Sequence, residues 1–206
     1  MSASFDNLTA DPLDILLKHN HWATRRVLQF CEEIPAERFH EQFDIGLRSL
    51  HDTMTHVISA MLRWADRIDG RPVRHSLEIP EGSSWSFFGP ASDGPKPAVP
   101  RRRLSELNEL LDTAATDLES VAERCRTRGL QTTFVLPFGD KHYTFTYGAA
   151  LTHVTTHGMH HRSQCLNILR RVGAPSLAKE TPEIGVVDWQ AEIETKQMAP
   201  YTPSQH

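Results

Sequence analysis

"YGAALTHVTTHGMHHRSQCLNILRRV", residues 147–172, reads as one long helix with an unusual burden of imidazoles. Tyr147, Leu151, Val154, Cys165, Ile168, Leu169 and Val172 recur at helical spacing and make one apolar stripe, closed by Gly173 and Pro175. His153, His157, His160 and His161 share the segment. With about 100° of rotation per residue, His161 falls within the stripe and His157 at its edge. His153 lies further round and His160 furthest. His157 and His161 are therefore the pair expected to look inward. Side chains at i and i+4 meet on neighbouring turns, so one cation can take both. His153 and His161 are separated by about 12 Å along the axis and cannot share it. Two neutral imidazoles buried side by side each need a partner, and a metal satisfies both. The same spacing supplies two zinc ligands in HExxH helices. Here the run is HGMHH, without that glutamate, so a zincin-type peptidase is not expected.

Three more helices surround this one in the sequence reading. The first spans about 11–33, with Asp11 as cap and Pro12 at the favoured first position. The second spans 47–69 and stops at Gly70 and Pro72, and the third spans 101–128 and ends at Gly129. Residues 71–100 are rich in Pro, Gly and Ser and read as a long irregular connection, whose aromatic "SSWSFFG" can lid a pocket. "TTFVLPFGDKHYTFTY", residues 132–147, reads as a β-hairpin turning at Phe138-Gly139-Asp140. The expected fold is all-α: a four-helix bundle with a long loop between helices 2 and 3 and a short β-hairpin before helix 4. Its expected division is a bundle over 1–175 and a tail over 176–206. In the tail Val186, Val187, Trp189 and Ile193 need cover, so it is expected to pack back on the bundle.

Composition narrows the function. The chain has 206 residues and a net charge of −4, which gives no general attraction to nucleic acid or anionic membrane. The short runs Arg101–Arg103 and Arg170-Arg171 read as solvated helix ends. No apolar run approaches the length of a membrane span, and the opening "MSASFDNLTADPLD", with neither a basic nor an apolar region, is not expected to act as a signal peptide. Cys31, Cys125 and Cys165 are an odd, widely spaced set without CxxC, which points to a reducing cytoplasm. The fourth helix carries no acid, against a di-iron carboxylate bundle, and P-loop, dinucleotide-binding and nucleophile-elbow motifs are missing.

A third ligand must come from another helix. The second offers His51 and His56, and periodicity favours His51. It lies nearer the stripe of Leu47, Leu50, Met54, Val57, Met61 and Ile68, whereas His56 projects away from it.

"SLHDTMTHVISAMLRW", residues 49–64, resembles the second-helix signature of the DinB/YfiT-like family, with His56 eight residues before Trp64. "HVTTHGMHHRSQCLNILRRVG", residues 153–173, resembles its fourth-helix signature through His157, His161, Arg162, Gln164, Leu169, Arg170 and Gly173. Asn20, Trp22 and Ala23 fit the family's entry helix. The resemblance implies a four-helix bundle, commonly homodimeric, with a metal held by His56, His157 and His161. Ser163 and Met61 depart from the pattern. Met61 stands where many members carry an acid, so no role for that carboxylate carries over.

Three imidazoles leave a divalent cation its full charge and an open position, the catalytic rather than the structural pattern. Zinc or nickel is the foremost expectation, with iron or manganese also tolerated. The expected function is a metal-dependent enzyme activating water or a low-molecular-weight thiol for hydrolysis or transfer of a small molecule. The alternative is a non-catalytic, stress-associated metal-binding dimer. Gln164 and Tyr147 are candidates to support the ligands. Cys165 reads as a small core residue. No individual catalytic residue can be assigned.

Overall fold

The computed structural model describes residues 11–83, 85, 95–138, 141–178 and 184–197. Most of the aromatic run 83–89 and the Gly139-Asp140 tip of the hairpin lie outside that set. The elements are α1 (Pro12–Glu32), α2 (Ala36–Phe39), α3 (Leu50–Asp69), α4 (Leu104–Arg128), β1 (Thr133–Phe138), β2 (Lys141–Thr146), α5 (Tyr147–Arg171), α6 (Pro175–Ala178) and α7 (Val186–Gln197). The fold is all-α, and α1, α3, α4 and α5 form the bundle. α1 and α3 each pack against both α4 and α5, so α3 and α5 are direct neighbours.

The ends of the helices follow local chemistry. Asp11 Oδ1 accepts from the amides of Leu13 and Asp14, at 2.9 and 3.0 Å. Ser49 Oγ caps α3 by accepting from Asp52 N at 3.0 Å. α3 begins three residues after the position expected from periodicity, because Gly46 and Arg48 turn the chain through positive φ (52° and 79°). Gly70, at φ 71°, ends α3 in the left-handed region. α4 begins at Leu104 rather than 101, where Glu106 Oε2 accepts from Arg103 N at 2.7 Å. Thr146 caps α5.

Leu28, Met54, Ile58, Leu107, Leu111, Leu118, Leu151 and Ile168 are among the side chains that fill the bundle interior. β1 and β2 pair antiparallel from Thr133–Thr146 to Phe138–Lys141. Phe134 stacks on Tyr147, and Phe145 meets Trp64 edge-on. The tail is more helical than expected. α7 lies against α1 with Trp189 buried, and Trp22 Nε1 donates to Glu192 Oε2 at 3.0 Å. Val187, expected to need cover, is 77% exposed because helical phase turns it away from Trp189.

One irregular segment bears directly on the site. After Gly70 the chain doubles back along α3. Arg74 forks onto Asp66, with Nε and one terminal nitrogen each at 2.6 Å, and also bonds Asp117 of α4. Further back, Ser59 Oγ accepts from Leu77 N at 3.2 Å and lies 3.2 Å from Ser76 Oγ. Arg102 is not a solvated helix end: it donates to Leu77 O at 2.8 Å, and its amide donates to His51 Nε2 at 3.0 Å.

Candidate metal centre

His56 of α3 meets His157 and His161 of α5 in the seam between the two helices. Ring centroids are 4.9 Å apart for His56–His157, 4.8 Å for His56–His161 and 4.6 Å for His157–His161. One nitrogen from each ring lies within 4.8 Å of the others, and His56 Nε2 is 3.1 Å from His157 Nε2. Tetrahedral zinc ligands at about 2.0–2.1 Å stand roughly 3.3 Å from one another. The closest pair already has about that spacing, and the third nitrogen lies within 4.8 Å of both.

Outer partners set which nitrogen faces inward. His56 Nδ1 is 2.9 Å from Glu78 Oε2, and His161 Nδ1 is 2.8 Å from Gln164 Oε1. Both partners accept, so each Nδ1 carries the proton and each Nε2 presents a lone pair to the seam. Gln164 Nε2 in turn lies 3.0 Å from His160 Nε2. At Gly46 a Cβ would overlap the Gln164 carboxamide, so the loop before α3 presses directly on it.

The electrostatics favour neutral imidazoles, the form that binds metal. Burial, together with His56, His161, His153 and His160 nearby, pushes His157 down to about 3. Burial also lowers His161, against the opposing effect of its hydrogen bond to Gln164. Burial alone would raise Glu78, but His56 and Lys96 outweigh it and hold the carboxyl below its ordinary value.

The other candidates separate clearly. His51, favoured by periodicity, is indeed buried, but neither nitrogen is free for a metal. Nδ1 lies 2.8 Å from Asp52 Oδ1, and Nε2 accepts from Arg102 N. His153 packs on Trp64 at 5.0 Å, outside the cluster. Tyr147 stacks on Phe134 at the hairpin, about 15 Å along α5 from His157. Cys165 is fully buried, its thiol pushed up to about 12 by burial and placed 3.8 Å from Met54 Sδ. The polar side chain of α5 that is fully buried is Arg162 rather than His161. Arg162 donates to Asn20 Oδ1 at 2.6 Å and Thr24 Oγ1 at 3.0 Å, where Gly158 leaves it room.

Glu78 was not among the sequence candidates. Its segment has no periodicity to place it, and the sole signal is an isolated acid between two apolar residues, Leu77-Glu78-Ile79.

Fold and cluster together define a helical bundle whose three converged imidazoles can hold a divalent cation. The DinB family model matches residues 2–188, and the chain belongs to the DinB family. No curated protein matches it. Among the described residues, no helix is long and apolar enough to cross a membrane.

Proposed function

We propose that the chain is a metal-dependent enzyme whose divalent cation, zinc or nickel foremost and iron or manganese as alternatives, is held by His56, His157 and His161. Bound there, the cation would supply Lewis acidity, lowering the pKa of a water or of a low-molecular-weight thiol for hydrolysis or transfer on a small substrate. The observation that carries this reading is the direction of the nitrogens. Two Nδ1 atoms are engaged outward, so the Nε2 lone pairs of His56 and His161 face the seam, where His56 Nε2 lies 3.1 Å from His157 Nε2. No cysteine or carboxylate joins the three imidazoles among the described residues, which favours an open, catalytic position over a sealed binding protein.

The protein's own groups have separable tasks in this scheme. Glu78 and Gln164 fix ring orientation, and His153 with Trp64 walls one side of the seam. We read 1–175 as the bundle and 176–206 as a C-terminal tail packed on it, a reading supported by the contact of α7 with α1. A homodimer in a reducing cytoplasm is part of the proposal, and it is consistent with three free, buried cysteines. Sedimentation at micromolar concentration tests the dimer, and a monomer of 23.3 kDa refutes it.

The deciding experiment has two stages. Untagged protein is analysed for bound metal, with one divalent ion per chain expected. The loaded protein is then assayed with a panel of thiols and small electrophiles, with and without chelator. Chelator-sensitive turnover supports the enzyme. Stoichiometric metal with no turnover across the panel favours the metal-binding alternative, and absence of metal uptake rejects both.

A further inference from the structure

We infer that Glu78, delivered by the segment that follows α3, is a positioning residue of the histidine centre: it fixes His56 in the Nδ1–H form and so aims Nε2 at the metal. The inference rests on the metal reading above for its purpose, but its first observable does not.

The geometry is built rather than incidental. Glu78 is 3% exposed, so its carboxylate is committed to protein partners. Oε2 lies 2.9 Å from His56 Nδ1, and Oε1 lies 3.3 Å from Lys96 Nζ. An ionised carboxylate can only accept, so the ring nitrogen facing it must be the protonated one. The backbone on either side is anchored to the same helix that carries His56. Ser59, one turn further along α3, accepts from Leu77 N, and Arg102 holds Leu77 O. Ser76 Oγ accepts from the Glu78 amide at 3.3 Å. The two ends of the 71–100 connection thus converge, residues 76–78 from one side and Lys96 with Arg102 from the other. The connection is part of the centre, in addition to anything its middle does for substrate.

A carboxylate behind a ligating imidazole fixes the tautomer and raises ligand basicity, and removing such a partner typically weakens metal affinity by about 10–100-fold. It also places a negative charge close to a site whose three ligands are neutral.

The test uses the full chain with histidine side chains labelled with nitrogen-15. In metal-free wild type, His56 should appear as a single Nδ1–H tautomer. Glu78→Ala should give a tautomer mixture at His56, and zinc affinity by chelator competition should fall about 10–100-fold. Glu78→Gln replaces one carboxylate oxygen by an amide donor while both His56 Nδ1 and Lys96 Nζ need an acceptor, so it should recover at most part of the tautomer bias and of the affinity. Ser59→Ala unhooks the segment without touching His56, and should reproduce a milder form of the Ala phenotype should Glu78→Ala fold poorly. His56 remaining wholly Nδ1–H in Glu78→Ala, or in Ser59→Ala where that variant must serve, with unchanged zinc affinity, overturns the inference. Should the wild type take up no zinc while the tautomer still depends on Glu78, the metal reading falls and the positioning role stands.

Discussion

His161 and Arg162 are consecutive on α5, yet they serve opposite seams of the bundle and meet opposite treatment. Arg162 enters the α1–α5 seam, is 2% exposed, and finds fixed oxygens on Asn20 and Thr24. Burial pushes the guanidinium down to about 10, which still leaves it charged at neutral pH. Met61 Sδ accepts a contact from Asn20 Nδ2 at 3.6 Å in the same region. That seam is closed: donors meet acceptors and the network is an inter-helix brace. In the α3–α5 seam, His56 and His161 donate outward to Glu78 and Gln164 and turn their Nε2 acceptors toward His157. A satisfied buried network is architecture, whereas converging lone pairs are a request for a cation.

The largest effect should come from breaking the open seam. His56→Ala, His157→Ala and His161→Ala should each lose tight zinc binding, by more than the roughly 100-fold that an outer partner costs. His51→Ala and His160→Ala should keep it, since neither nitrogen of His51 is free and His160 is exposed. Metal content after exhaustive dialysis reads this directly. Retention in His56→Ala together with loss in His51→Ala would reverse the assignment of the third ligand.

The closed seam should answer differently. Arg162→Ala removes two charge-assisted hydrogen bonds and leaves a void, so unfolding in denaturant should show a loss of about 3 kcal/mol. The folded fraction should still bind one zinc. Loss of zinc at unchanged stability would mean the two seams are not separate.

This contrast explains what could be read in advance. The four bundle helices, the hairpin and the inward pair on α5 follow from periodicity, because period and stripe are properties of one element. Periodicity favours His51 over His56 as the third ligand; His51 is buried, but both its nitrogens are engaged. What periodicity cannot supply is the distinction between burial and ligation. His56 lies off the stripe at the edge of the core, with a side chain 23% exposed, where a proposed ligand in a seam open to solvent would stand. Only the family pattern pointed to it. Arg162 was legible as a motif residue but not as the buried one, since its partners Asn20 and Thr24 sit on another helix. Glu78 was illegible for a related reason: its place depends on Arg74, Ser59 and Arg102, contacts that an irregular segment acquires only in three dimensions.

Proton dependence sharpens the comparison next. In the denatured chain histidine titrates near about 6.5, whereas the folded, metal-free protein keeps His157 neutral down to about 3. Between those values the denatured state binds a proton that the folded state does not, so stability falls as pH drops through that window. Arg162 is charged in both states there and adds no slope. The melting temperature of metal-free wild type should therefore fall between pH 7.5 and 5 more than that of His157→Gln, while Arg162→Ala should track wild type. Parallel profiles for wild type and His157→Gln would show that His157 is not held neutral.

The smallest effect expected is at Gly46, and it separates strain from ligand support. The glycine has φ 52°, and a Cβ there would run into the Gln164 carboxamide, which is the acceptor for His161 Nδ1. Gly46→Ala therefore does two things. It imposes a left-handed backbone on an L-residue, which costs about 1–2 kcal/mol, and it displaces a side chain that orients a ligand. Gln164→Ala does only the second. Both variants should weaken zinc by a similar factor, about 10-fold and toward the low end of the range for outer partners. Only Gly46→Ala should lower the melting temperature of the metal-free protein, by a few degrees. A Gly46→Ala protein with wild-type zinc affinity would mean that Gln164 keeps its bond to His161 after moving. The loop before α3 would then bear on the fold of the open seam but not on its ligands.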